Sequence, residues 1–151
     1  MKISRRQLRR LINEVITSGI AYTGLVLDKA SHDMLLQYVP EGWRPYAHHM
    51  TLITPTEHKG VRLPPRFLNS SASITVTGIV GDDRVIAAVI DLRNTVLPMR
   101  GPAYAHVTIA TNPDTGGKPF MSNQLDPQNA QPVHPITLTG TIQEVMLQHG
   151  L

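Results

Sequence analysis

Apolar and polar positions recur with two different periods along this 151-residue chain, and the period assigns most of its elements. Leu8, Leu11, Ile12, Val15 and Ile16 fall at offsets of three and four, the spacing of one helical stripe. Ser4 and Gln7 have the spacing of a capping box, and Gly19 stands where a C-terminal cap belongs, so residues 4–17 predict an amphipathic helix. Residues 22–27 predict a strand and residues 30–39 a short helix. A loop punctuated by Pro40, Gly42 and Pro45 leads to a strand over 48–54, and a second loop with Pro64-Pro65 fills 55–66. Residues 74–80 and 84–90 flank Gly81-Asp82-Asp83, a hairpin signal. A further strand is predicted over 103–110, between Pro102 and Pro113. Residues 111–135 are polar and broken by prolines, with a helical turn near 120–125, and 136–147 close the chain as a strand. Several strands with two or three helices predict an α+β domain.

Composition narrows the class. Hydrophobic residues at 41% and charged residues at 17% exclude intrinsic disorder and fibrous sequence. No apolar run approaches the roughly 20 residues that span a bilayer. The basic N-terminus lacks the apolar core and cleavage site of a signal peptide. With no cysteine, disulfides, thiolate metal sites and cysteine nucleophiles are excluded. The expectation is a cytoplasmic protein that makes no membrane contact. Its net charge of +3 is uneven: Lys2, Arg5, Arg6, Arg9 and Arg10 supply five of fourteen basic residues, while the other 141 residues carry nine basic and eleven acidic groups, a balance of −2. The body is therefore not a uniformly basic face, and attraction to polyanions rests on the N-terminal segment. That face is either solvated or an arm for RNA or another partner. The expected organisation is a basic helix over 1–19 and one domain over 20–151.

One internal repeat carries chemistry. Residues 49–54 read His-Met-Thr-Leu-Ile-Thr and residues 106–111 read His-Val-Thr-Ile-Ala-Thr, both in predicted strands. Side chains at i and i+2 share a strand face, so each His and its Thr project together while Met50, Leu52, Val107 and Ile109 point the other way. Polar pairs on otherwise buried strands imply a cleft, because imidazole and hydroxyl are costly to bury without partners. Two imidazoles and two hydroxyls suit a phosphodiester. Thr51 and Thr108 donate to non-bridging oxygens, one neutral His of the His49/His106 pair removes a proton, and the other, protonated, donates to the leaving oxygen. Which histidine plays which part is open.

These motifs resemble those of the 2H phosphoesterases, and their separation of 57 residues fits one motif per lobe. The resemblance implies a two-lobed α+β fold, with antiparallel sheets around a central cleft and a few flanking helices. It also implies metal-independent phosphodiester cleavage without a cofactor. Tyr22-Thr-Gly-Leu-Val-Leu-Asp, Tyr46-Ala-His-His-Met-Thr-Leu, Gly117-Lys-Pro-Phe-Met-Ser-Asn and Thr139-Gly-Thr-Ile-Gln-Glu are similar to segments of the small phage anti-CBASS nucleases. The likeness spans roughly 20–147. It implies a cyclic di- or trinucleotide substrate cleaved at its 3′–5′ linkages, and a viral protein working in the host cytoplasm. The alternatives are a 2′,3′-cyclic phosphodiesterase acting on RNA ends and a nucleotide-binding module without turnover.

Five further residues are candidates for substrate binding. Tyr22 can stack on a base or bond to phosphate, and Glu144, an isolated acid in the last strand, can read a base edge or orient a histidine. Lys118 follows two glycines that allow close backbone approach, and Trp43 and Tyr46 can line a base pocket. Each has a structural alternative as a core or solvated residue. His48, next to His49, is expected to face away as a rim residue. No His-x-His, His-Glu-x-x-His or His-x₃-His spacing points to a metal. No phosphate-binding glycine loop, dinucleotide fingerprint or Gly-x-Ser-x-Gly elbow is present.

Overall fold

A computed structural model describes residues 20–54, 66–93 and 95–146. The helix predicted over 4–17 lies outside the described residues. Among the described residues seven strands and one α-helix follow in order: β1 (Ile20–Leu27), α1 (Lys29–Leu36), β2 (Arg44–Pro45), β3 (His49–Ile53), β4 (Ser71–Gly81), β5 (Val85–Asp91), β6 (His106–Thr111) and β7 (Gln131–Met146). Short 3₁₀ turns at Pro113–Thr115, Pro119–Gln124 and Pro127–Asn129 occupy the proline-broken stretch, each opening on the proline that pre-sets its φ.

The two-lobed α+β arrangement expected from the sequence is corrected by the strand pairings. All strands pair antiparallel in one sheet, in the order β2-β6-β3-β1-β7-β4-β5, and β5 returns to pair with β6. Six strands thus close into a single barrel, with β2 a short extension along β6. The residue pattern assigns strands but not partners. β7 has 16 residues and serves two neighbours, pairing with β1 over 140–146 and with β4 over 131–141. That shared strand joins what the expectation had divided. Only α1 is an α-helix among the described residues, so the flanking helices of the expected fold are mostly 3₁₀ turns.

Alternation builds the core. In β4, Ile74, Val76 and Val80 are buried while Ser73, Thr75 and Thr77 lie on the other face. Leu25, Met50, Leu52, Val107, Ile109, Leu138 and Ile142 join them in one cluster with Leu35 of α1. The hairpin at Gly81-Asp82-Asp83 forms as its residues predict: the Asp82 carboxylate accepts from the backbone of Arg84 (2.8 Å) and Val85 (3.0 Å). α1 is capped by Asp28, whose side chain accepts from the Ser31 amide, and the buried Ser31 hydroxyl accepts from the Thr139 amide of β7 at 2.8 Å. No described helix is long and apolar enough to cross a membrane.

Candidate active site

The two His-x-Thr motifs lie on adjacent strands in opposite directions. Met50 of β3 pairs with Val107 of β6, and both are fully buried. The motifs flank this pair, and His49, Thr51, His106 and Thr108 line one cleft on the face away from the core.

The register depends on a bulge. Ala47 and Tyr46 still bond to β6, their amides donating to Thr108 O (2.8 Å) and Ile109 O (2.7 Å). From Ala47 to Met50 the chain advances three residues while β6 moves back from Thr108 to Val107. Ala47 takes φ +59 to make this step, a left-handed conformation that disfavours any residue with a Cβ. His32 of α1 holds it there, its Nδ1 donating to Ala47 O at 2.8 Å. His48 falls within the bulge. It is a rim residue, exposed and stacked on His32 at 4.7 Å, but it borders the same cleft as His49 instead of facing away. Regular alternation does not apply to a residue that precedes the paired strand.

The two histidines have unlike surroundings. Tyr22 of β1 stacks on His49 with ring centres 4.4 Å apart, and its hydroxyl lies 3.2 Å from His49 Nδ1. Gly24 makes room for that ring, because a Cβ there would stand 3.0 Å from Tyr22 Cε2. Burial pulls the His49 pKa down to about 4, helped by the nearby His48 and His106. Burial also raises the Tyr22 phenol, keeping it protonated. His106 is lowered by burial, and the Tyr104 carbonyl, which accepts from its Nδ1 at 2.8 Å, offsets part of that. At neutral pH His49 is therefore a neutral imidazole, and His106 is lowered as well, with one hydrogen bond that opposes the shift.

Around this quartet runs a cleft of about 290 Å³ lined also by Tyr22, Tyr46, Pro102, Phe120, Ser122 and Asn123. Of the residues singled out in the sequence, the structure brings together His49, Thr51, His106, Thr108, Tyr22 and Tyr46. Trp43 packs against the core cluster instead. Lys118 is exposed at the start of the Pro119–Gln124 turn, and Glu144 is half-buried on β7 beside Thr23; neither borders the cleft. Among the lining residues that the sequence did not single out are Phe120, 61% exposed, and Ser122, 1% exposed and bonded to both His106 and Thr108. Their segment has no period to mark them; its local signal is Pro119 opening a turn that carries an aromatic and a serine.

Among the described residues no group of three or more His, Cys, Asp or Glu is placed to hold a metal ion. No curated protein matches the chain. The model of the fungal tRNA ligase phosphodiesterase domain matches residues 30–148, a span that runs from α1 past β7 and contains both His-x-Thr motifs. With that match over most of its length, the chain belongs to the fungal tRNA ligase phosphodiesterase domain family, a group of 2H phosphoesterases, and is at that level a phosphodiesterase.

Proposed function

We propose that the protein is a metal-independent phosphodiesterase that opens 2′,3′-cyclic phosphates at RNA ends, with His49 as general base and His106 as general acid. The observation that carries the reading is the convergence of both His-x-Thr motifs on one cleft, in a chain matched to a tRNA ligase phosphodiesterase domain. His49, neutral above about pH 4, takes a proton from water. The water oxygen forms a bond to phosphorus, one ribose oxygen leaves, and His106 gives that oxygen its proton. Thr51 and Thr108 hold the non-bridging oxygens, where negative charge builds. Solvent then restores both protonation states, leaving a phosphomonoester.

Cleft size favours a terminal nucleotide over a larger ring. At about 290 Å³ it stands at the lower end of small-molecule sites, which run from about 300 to 1,000 Å³. The basic residues before position 11 suit an RNA backbone as well. Cleavage of cyclic di- or trinucleotides is the second reading, favoured by the several aromatic surfaces of Tyr22, Tyr46 and Phe120 around one site. A panel of RNA 2′,3′-cyclic phosphates, cyclic dinucleotides and cyclic trinucleotides, incubated in EDTA with products read by mass spectrometry, separates them. Opening of RNA ends alone supports the proposal. Cleavage of cyclic oligonucleotides alone moves it to the second reading, and binding without turnover of any substrate defeats both.

An exposed Phe120 beside the catalytic quartet serves as a platform for the terminal base. Stacking on an aromatic contributes about 1–3 kcal/mol per base, so Phe120→Ala is expected to raise KM ~5- to ~150-fold with kcat nearly kept. Steady-state kinetics on a dinucleotide with a cyclic phosphate end reads this directly. A fall in kcat at constant KM would place Phe120 in the chemistry instead.

A further inference from the structure

The Ser122 hydroxyl meets three hydrogen-bond partners, and one of them, His106, has a further bond at its other nitrogen. The hydroxyl lies 2.6 Å from Pro119 O, 2.8 Å from Thr108 Oγ1 and 3.1 Å from His106 Nε2, and His106 Nδ1 lies 2.8 Å from Tyr104 O. The two carbonyl oxygens only accept. At 2.6 Å, Pro119 O requires the single Ser122 proton, since two bare oxygens at that distance repel. In the free protein both lone pairs of Ser122 Oγ are then left to accept, one from Thr108 and one from His106 Nε2; with substrate bound, the Thr108 proton turns to a phosphate oxygen. Tyr104 O requires a proton on Nδ1. Protonated His106 therefore finds an acceptor at each nitrogen, the arrangement that favours the imidazolium form an acid catalyst needs.

We infer that Ser122 is a positioning residue, which favours the doubly protonated form of His106 and aligns it with Thr108 by accepting from both. The inference rests on the proposed acid role of His106 only for its catalytic consequence; the bias toward the charged form stands on the hydrogen bonds. Hydrogen bonds that favour the charged form oppose the cost of burial, and a residue only 7% exposed needs that help. The Nε2 bond is the longest of the four, so it is the one a leaving ribose oxygen exchanges most easily. Other titratable and charged groups lie on the elements packed around His106. β3 brings His49, whose pKa is lowered in turn by His106. β5, where Val89 pairs with His106, brings Asp91 in an ion pair with Arg93 at 2.6 Å. Tyr104 lies 4.4 Å away ring to ring, its phenol pushed up to about 12 and so neutral, and Lys118 stands exposed at the start of the 119–124 turn. None of these supplies an acceptor to Nε2; Ser122 does.

The test is a pH titration of the imidazole nitrogens by NMR on the whole protein without substrate, with His106 assigned from a His106→Gln variant. In the wild type the surviving proton above the midpoint is expected on Nδ1. Ser122→Ala should lower the His106 midpoint by about one pH unit, a tenfold loss of proton affinity, while Ser122→Thr keeps it near wild type. Ser122→Cys, which keeps the volume but offers a weak acceptor, should fall like alanine and serves if the alanine variant does not fold. In kinetics, Ser122→Ala should move the falling limb of kcat to lower pH with KM unchanged, where a merely structural loss lowers activity at every pH. A His106 midpoint that stays put in both the Ala and Cys variants overturns the inference. If the midpoint falls but no substrate of the panel is cleaved, the inference holds and the proposed function fails.

Discussion

Alanine at His49 or at His106 is expected to lower kcat/KM on RNA 2′,3′-cyclic phosphates by ~10²–10⁴-fold, the range for loss of one acid–base group. The double variant should fall far less than the product of the two, because a base without its acid partner has little left to lose. The pH profile supplies a second check on the same pair. A base whose pKa lies at about 4 brings activity up as pH rises through that value. An acid whose pKa lies below the ordinary histidine value brings activity down as pH rises through it. The profile of kcat/KM should therefore be bell-shaped with its maximum on the acid side of neutrality, and it should persist in EDTA. His48→Ala should stay within a fewfold of wild type. Removing the field of His48, which helps to depress His49, should move the rising limb to slightly higher pH. A maximum above pH 7, or His48→Ala abolishing turnover while His49→Ala spares it, would sink the assignment.

Ile109→Ala is expected to cost about 2–5 kcal/mol of stability, since the side chain is fully buried in the barrel core and its loss leaves a cavity. Its neighbour makes the informative contrast. Thr108→Val keeps shape and strand preference while deleting the hydroxyl that faces the cleft and bonds to Ser122, so it should cost only about 1 kcal/mol of stability and reduce turnover, less than the histidine changes do. Denaturant unfolding and kinetics on both variants separate the two faces of β6. Equal stability losses would show that Thr108 is as much a part of the core as Ile109, and that the alternation along this strand does not divide packing from chemistry.

That division was legible in the residues. His-x-Thr with apolar residues between states in six positions which side chains enter the core and which face outward, because a strand turns alternate side chains to opposite faces. The quartet of His49, Thr51, His106 and Thr108 could be named from the sequence for that reason, and the 30–39 helix and the Asp82 turn followed from equally local signals. Alternation broke down at His48, where Ala47 leaves the β region to form a bulge, a feature no periodicity announces.

Local pattern also fails wherever partners must be chosen. Nothing in the residues of β7 says that one strand will pair with both β1 and β4, and nothing in β5 says that it will return to β6, so two lobes were expected where one barrel closes. Trp43 and Glu144 read equally well as cleft or non-cleft residues until packing placed them. Ser122 is the plainest case. A serine in a proline-broken stretch has no hydrophobic period to mark it, and its meaning comes wholly from the two side chains and one carbonyl that the fold delivers to its hydroxyl. The sequence by itself determined which candidate groups share a strand face, since that is set by neighbours two residues apart. Tertiary structure decided how the strands close, how deeply each histidine is buried and which partners it meets, since burial and hydrogen-bond partners come from residues far apart in the chain.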